Sequence, residues 1–294
     1  MAAKKSQPQP ATLVLGGTGM LGREVVAHLP PPVWAPTRDE FELVNVNLET
    51  AIGDRRLAAV VNCAAYTAVD RAESEPILAR ELNHFLPKTL GAWATKHRVP
   101  VVHVSTDFVF DGRATTPYSA EALTNPQGVY AKTKEAGERY INHGWVVRTS
   151  WLFGNAGACF PRTMVRAWLA GRELRVVSDQ VGTPTYASDL AQWIRALLAS
   201  PMPFGTLHAA GAEAMSWFEF ARLVIGTYEE VHQTGCPIHI EPIATKDWPA
   251  PAPRPAYSAL DSSVVHERYG PPTPLREAII QFAEQNPPET LLGP

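Results

Sequence analysis

Short apolar runs alternate with helical patterns through the first half of the chain. The run ATLVL (11–15) leads into glycine-rich residues and then a helix over about 21–29. A short second strand falls at 33–35, a third at 59–62 (AVVN) and a fourth at 99–104 (VPVVHV). Between the last two lies a long helical tract, roughly 76–97. A fifth strand, 145–149 (WVVRT), follows a helix that carries Tyr130. Runs that are apolar throughout suit strands buried on both faces. Strand and helix at this rhythm predict an α/β fold, a Rossmann-type doubly wound parallel sheet. After Trp151 the rhythm weakens. Helices are expected over 162–170, 188–198 and 217–232, with a short strand at 174–177 and two short helices to finish. Ser188 and Asp189 open the second of those helices, and Ser216 is a candidate N-cap for the third.

This pattern divides the chain into a disordered tail (1–10), a sheet domain (11–155) and a smaller C-terminal lid (156–294). The lid is discontinuous, because segments near 180–208 return to the sheet domain. Composition narrows the partners. The chain has 294 residues, a net charge of −3 and 45% hydrophobic content, so no basic field points to nucleic acid. No apolar run reaches the ~18 residues of a membrane span. Cys63, Cys159 and Cys236 are odd in number and far apart, which suggests reduced thiols in the cytoplasm. The start, MAAKKSQPQP, lacks the apolar stretch of a signal peptide.

Gly16, Gly19 and Gly22 form a Gly-x-x-Gly-x-x-Gly loop between the first strand and the first helix. Gly16 suits the sharp turn, Gly19 lets backbone approach a pyrophosphate, and Gly22 lets helix and strand pack closely. Thr18, Met20 and Leu21 share the loop, and the helix N-terminus offers N–H groups to the anion. A dinucleotide is therefore the expected cofactor, and the first domain its binding domain. The end of strand two reads Pro36-Thr37-Arg38-Asp39. Arg38 favours the extra phosphate of NADPH, while Asp39 keeps NADH open.

Tyr130 and Lys134 stand one helical turn apart on one face. Such a pair alone does not separate a surface contact from an activated phenol. Strand four, however, ends in Ser105-Thr106-Asp107, and ligands of doubly wound sheets sit beyond the carboxyl ends of strands. Thr106, Tyr130 and Lys134 can then meet at one point. A nearby ammonium is expected to lower the tyrosine pKa from about 10 towards working pH.

The chain resembles the extended short-chain dehydrogenase/reductase superfamily. Within it, the segments VNCAAYTAVDRAESEP (61–76), HVSTDFVFDG (103–112), GVYAKTKEAGE (128–138), RTSWL (148–152), DQVGTPT (179–185) and PRPAYSALD (253–261) resemble the dTDP-4-dehydrorhamnose reductase family. The resemblance runs in order from about 12 to 285. It implies NADPH-dependent reduction of the C4 keto group of dTDP-4-dehydro-L-rhamnose. Tyr130 would protonate the C4 oxygen, Thr106 would orient it, and Lys134 would also hold the nicotinamide ribose. Related sugar-nucleotide dehydratases carry Asp-Glu after the threonine. Here Asp107-Phe108 stands there, and Phe108 moves no proton, which argues against dehydration. The resemblance also implies that Tyr66, Thr67, Val69, Asp107 and Phe108 line the sugar pocket, and that Trp151 packs on the hexose. Gln180, Thr183 and Thr185 would form a substrate wall, and Arg254 would reach the nucleotide. Ser105, Cys63, Ala64 and Ala65 would pass close to the cofactor, with Cys63 a spacer. Asn83 would tie a helix to the cofactor strands. In the adenine region, relatives often show an aspartate. Here Asn45-Val46-Asn47-Leu48 stands there, and Asn47 can still hydrogen-bond adenine beside Leu48. Some relatives bind magnesium through glutamates at a dimer contact. Glu24 could correspond to one, but no metal site is assigned, and a monomer or homodimer fits equally.

Two alternatives stay open. One is a 4-ketoreductase of another nucleotide-deoxysugar pathway, since the motifs specify the keto group better than the stereochemistry. The other is a non-enzymatic NADP-binding partner, as in the regulatory beta subunit of methionine adenosyltransferase, which resembles this family. The intact Tyr130/Lys134 pair favours catalysis over the second.

Overall fold

A computed structural model describes residues 9–292. The tail expected over 1–10 therefore lies mostly outside the described residues; Gln9 and Pro10 are exposed. The chain begins β1 (Ala11–Leu15), α1 (Met20–His28), β2 (Val33–Trp34), α2 (Leu48–Ile52) and β3 (Leu57–Asn62). It continues through α3 (Val69–Ala72), α4 (Pro76–Arg80), a π-helical turn (Glu81–Phe85) and α5 (Leu86–His97). Then come β4 (Val101–Thr106), α6 (Val129–Glu138), β5 (Gly144–Thr149), β6 (Leu152–Phe153) and α7 (Phe160–Leu169). The remainder is β7 (Leu174–Val177), β8 (Val181–Gly182), β9 (Thr185–Tyr186), α8 (Ala187–Ala199), β10 (Gly205–His208), β11 (Met215–Ser216) and α9 (Trp217–His232). It ends with β12 (Ile240–Ile243), α10 (Ser263–Tyr269), α11 (Leu275–Gln285) and α12 (Pro288–Leu292).

The main sheet has the order β10-β5-β4-β3-β1-β2, and every pairing in it is parallel. Its central strands are apolar because helices cover both faces. Val14, Val61, Val102 and Val147 pack with Leu21 and Val25 of α1 and Leu190 and Ile194 of α8 on one side. Leu13, Val60, Val101 and Val146 pack with Leu90 and Trp93 of α5 on the other. The fold is the doubly wound one that the pattern predicts, with one addition. The edge strand β10, which sequence periodicity missed, extends the sheet beside β5. The second half of the chain has its own core, in which Trp168, Phe220, Tyr228, Ile279 and Phe282 join α7, α9 and α11. Three helices, not two, close the chain. Ser216 caps α9 as expected, in a reciprocal box with Glu219. Ser188 and Asp189 do not cap α8, whose N-cap Tyr186 has no side-chain hydrogen bond; Asp189 instead accepts from Thr273. Among the described residues, no helix is long and apolar enough to cross a membrane.

The π-helical turn has a visible cause. Pro87 has no N–H for the carbonyl four residues earlier, that of Asn83. That carbonyl points at α6, where a Cβ on Gly137 would stand 2.1 Å from it. The widened turn and the bare Gly137 together bring the long helix against the helix of Tyr130 and Lys134.

Candidate active site

A cleft of about 900 Å³ opens beyond the carboxyl ends of β1, β3, β4 and β5. Its floor is the glycine loop. Gly16 has φ +76°, and a Cβ there would lie 2.8 Å from the Ala64 backbone nitrogen. A Cβ on Gly22 would lie 2.1 Å from the Gly16 carbonyl oxygen. The loop is thus folded tightly against the Cys63-Ala64-Ala65 segment, and only small residues fit. Gly19, the N-cap of α1, has no side chain to cap it, which leaves N–H groups at the helix start for an anion. These features fit a dinucleotide pyrophosphate.

The cleft wall includes Gly16, Thr18, Gly19, Met20, Leu21, Gly22 and Arg38, with Cys63, Ala64, Ala65, Thr67 and Val69. Ser105, Thr106, Asp107, Phe108, Tyr130, Lys134, Trp151 and Arg254 complete it. Arg38 is 82% exposed and pairs loosely with Glu42 at 3.7 Å, so it can swing to a ligand at the rim. Asp39 is not part of the wall.

Thr106 ends β4 and faces Thr149 at the end of β5. Tyr130 and Lys134 are both buried on the cleft side of α6. Lys134 Nζ donates to the Val104 carbonyl at 2.6 Å. Burial lowers the Lys134 ammonium to about 8, with Glu138 one turn away pulling it back up. Burial pushes the Tyr130 phenol up to about 12 against the pull of Thr106, and Asp107 adds to the rise. The expected lowering of Tyr130 by Lys134 is therefore absent. The desolvated phenol is the harder to ionise, and one of the three ammonium N–H groups goes to the Val104 carbonyl. Burial raises the Cys63 thiol to about 12, against a lowering pull from Lys134.

Several assignments need correction. Asn47 and Leu48 do not reach the cleft: Asn47 Oδ1 accepts from the Thr50 N–H as the cap of α2, and Leu48 is core. Phe41, Glu42, Leu43 and Val44 line that end instead. Asn83 lies behind the wall. Its amide accepts from Tyr66 N at 2.8 Å and donates to the Tyr66 carbonyl at 3.0 Å and to Thr133 at 3.2 Å. It fastens the loop after β3 to the Tyr130 helix and does not line the cofactor space. Tyr66 is also outside the wall, its hydroxyl donating to Glu75 at 2.5 Å. Gln180 is buried and donates to Thr245. The Thr183 carbonyl accepts from Ser150, and the Thr185 hydroxyl accepts from Gly211 N. These three brace the wall rather than form it. Glu24 sits beside His28, whose Nδ1 bonds the Glu24 carbonyl.

Other residues escaped sequence reasoning. Trp217, the first residue of α9, stacks on Trp151 at 3.4 Å with a 6° tilt, and both line the cleft. One face of Trp151 is thereby taken, and its backbone is held at φ +45°. A helix start after a good cap was the only signal for Trp217. Behind β4, Glu138 and Arg148 form a buried pair at 2.7 Å, and the Ser105 hydroxyl donates to Glu138.

Fold and cleft define a dinucleotide-binding α/β protein with a threonine–tyrosine–lysine site. Comparison with known proteins places it more closely. The family model described as the RmlD substrate binding domain matches residues 11–286. A dTDP-4-dehydrorhamnose reductase of Streptomyces griseus is 37% identical over 270 residues, covering 87% of each chain. A probable dTDP-4,6-dihydroxy-2-methyloxan-3-one 4-ketoreductase of Streptomyces antibioticus is 38% identical, again over 87% of each. Among solved structures, dTDP-4-dehydrorhamnose reductase of Bacillus anthracis in complex with NADP gives a TM-score of 0.85 at 28% identity, covering 94% of this chain and 99% of that one. The chain belongs to the RmlD family, whose members here include several dTDP-4-dehydrorhamnose reductases.

Proposed function

We propose that the protein reduces the C4 keto group of dTDP-4-dehydro-L-rhamnose, with NADPH as reductant, to give dTDP-L-rhamnose. The observation that carries this reading is the meeting, in one cleft, of the uncapped glycine loop with Thr106, Tyr130 and Lys134. The pyrophosphate would rest on Gly16, Gly19 and the start of α1, and Arg38 would meet the 2′-phosphate. The reduced nicotinamide supplies a hydride. Tyr130 then gives its phenolic proton to the carbonyl oxygen, and a phenol kept protonated by burial is in the correct state to do so. Lys134, one turn further along α6 in the same cleft wall, would carry a proton that can restore the phenol. Thr106 orients the carbonyl. Phe108 supports reduction over dehydration, because the position holds no second acid or base. The C-terminal unit, 156–294, is the substrate lid, and Trp151, Thr67 and Val69 hold the sugar.

The relatives named as other 4-ketoreductases support a second reading, reduction of a different dTDP-deoxysugar ketone at the same site. Consumption of NADPH at 340 nm with each ketosugar ranks the two. Tyr130→Phe should lose about 10²–10⁴ of the rate while still binding NADPH. A full rate in that variant sinks both readings.

A further inference from the structure

Thr106 is required to donate to a carbonyl oxygen, yet its proton is already engaged. Its Oγ1 donates to Asp107 Oδ1 at 3.0 Å and accepts from the Phe108 N–H at 3.2 Å. A hydroxyl carries one proton, and here Asp107 and Tyr130 both compete for it, so while Asp107 accepts it Thr106 has none for a substrate oxygen. Asp107 itself is 2% exposed, and its Oδ2 has no hydrogen-bond partner among the described residues although Asp107 sits in the cleft wall. A buried carboxylate with a bare oxygen is costly, which shifts the balance towards its neutral acid. Burial accordingly raises the group to about 6, with Ser258 and Thr106 pulling the other way. The ionisable group facing it from α6 is Tyr130. The C-terminal segment faces it with Ser258, and β4 with Thr106.

We propose that Asp107 acts as a carboxylic acid that donates its proton to Thr106 Oγ1 and so turns the threonine's own proton towards the carbonyl oxygen of the substrate. This rests on the 4-ketosugar reduction argued above. No proton is consumed: Asp107 keeps its own, Thr106 keeps its own, and Tyr130 supplies the one that ends on the product oxygen. The neutral form also removes a negative charge beside the oxygen where negative charge develops. Asp107 is a positioning residue acting through Thr106, a role distinct from contact with the sugar.

The test compares the unsubstituted protein with D107N and D107L, each loaded with NADPH, in ketosugar turnover between about pH 5 and 9. The unsubstituted rate should fall as pH rises past about 6, as the acid form is lost. An asparagine amide donates to Thr106 at every pH. D107N should therefore keep more than about a tenth of the rate and lose that decline, whereas D107L should fall about 10–100-fold with NADPH binding intact. D107N as slow as D107L, or a decline that persists in D107N, overturns the proposal. An infrared difference spectrum of the NADP complex at about pH 5.5 gives an independent arm. The carbonyl stretch of a protonated carboxyl should be present and should vanish in D107N; its absence overturns the proposal whatever the substrate. An unsubstituted protein that turns over no 4-ketosugar brings down the functional reading instead, and the infrared result still decides the role of Asp107.

Discussion

Lys134 is buried as an ammonium with one backbone carbonyl for a partner, and the same desolvation that lowers it to about 8 opposes folding at neutral pH. An ordinary lysine titrates near 10.5, so below about 8 the folded state carries the full cost of the buried charge. The cost fades as pH rises from about 8 to 10.5. Lys134→Met removes it. That variant should melt about 2–5 °C higher at pH 7 without ligand, and the gain should shrink above pH 8. Its turnover should drop at least about 10²-fold. A melting temperature that stays below the unsubstituted value at neutral pH would show that the Val104 hydrogen bond outweighs the desolvation. Sequence showed which residues meet here, because Tyr-x-x-x-Lys spacing and a strand end are local facts. It did not show Tyr130 rising to about 12, because that follows from how deeply α6 is buried against β4 and the loop after β3.

Gly137 illustrates what an element cannot reveal by itself. In an exposed helix interior, glycine to alanine is stabilising by about 1 kcal/mol. In α6 the added Cβ would meet the Asn83 carbonyl at 2.1 Å, and that carbonyl is fixed by the π-helical turn. Backbone cannot yield as a flexible side chain does. Gly137→Ala should therefore destabilise by about 1–3 kcal/mol in urea unfolding, and it should lower kcat by pushing Tyr130 off Thr106. A stabilised variant would mean that α6 can slide away from Asn83 at no cost. The strands and long helices were legible, since period and apolar runs are written along the chain. The tertiary contacts were not. Asn47 looked free for adenine until it turned out to cap α2, and Trp217 looked like the start of a helix until it stacked on Trp151. Likewise β10 is four residues with no apolar run of their own, and only pairing with β5 makes them a strand.

Across the whole molecule, one contact ties an early segment of the chain to a late one at the cleft wall. The segment around Ala252 to Arg254 comes back from the C-terminal unit and is fastened to α3, just after β3. Arg254 forms two parallel hydrogen bonds to Asp70, at 2.7 and 3.0 Å, and the Ala252 N–H donates to the same carboxylate. The guanidinium holds Asp70 below the usual carboxylate range. Both partners are partly exposed, so the pair contributes little to stability. Its consequence is geometric: it places a planar cation at the cleft wall before any ligand arrives. Arg254 still has an unused N–H to offer, since among the described residues its five donors meet Asp70 and the Ala252 carbonyl. An anionic dTDP group is the ligand that such a cation would serve. Arg254→Ala should then raise KM for the sugar nucleotide about tenfold or more and leave KM for NADPH nearly unchanged, because the cofactor is proposed to rest on the glycine loop and not on this segment. Asp70→Asn keeps the cation but loosens its mooring, and should raise the same KM by a smaller factor. If both substitutions moved the NADPH constant instead, Arg254 would belong to the cofactor half of the cleft, and the segment that carries it would be a cofactor clasp.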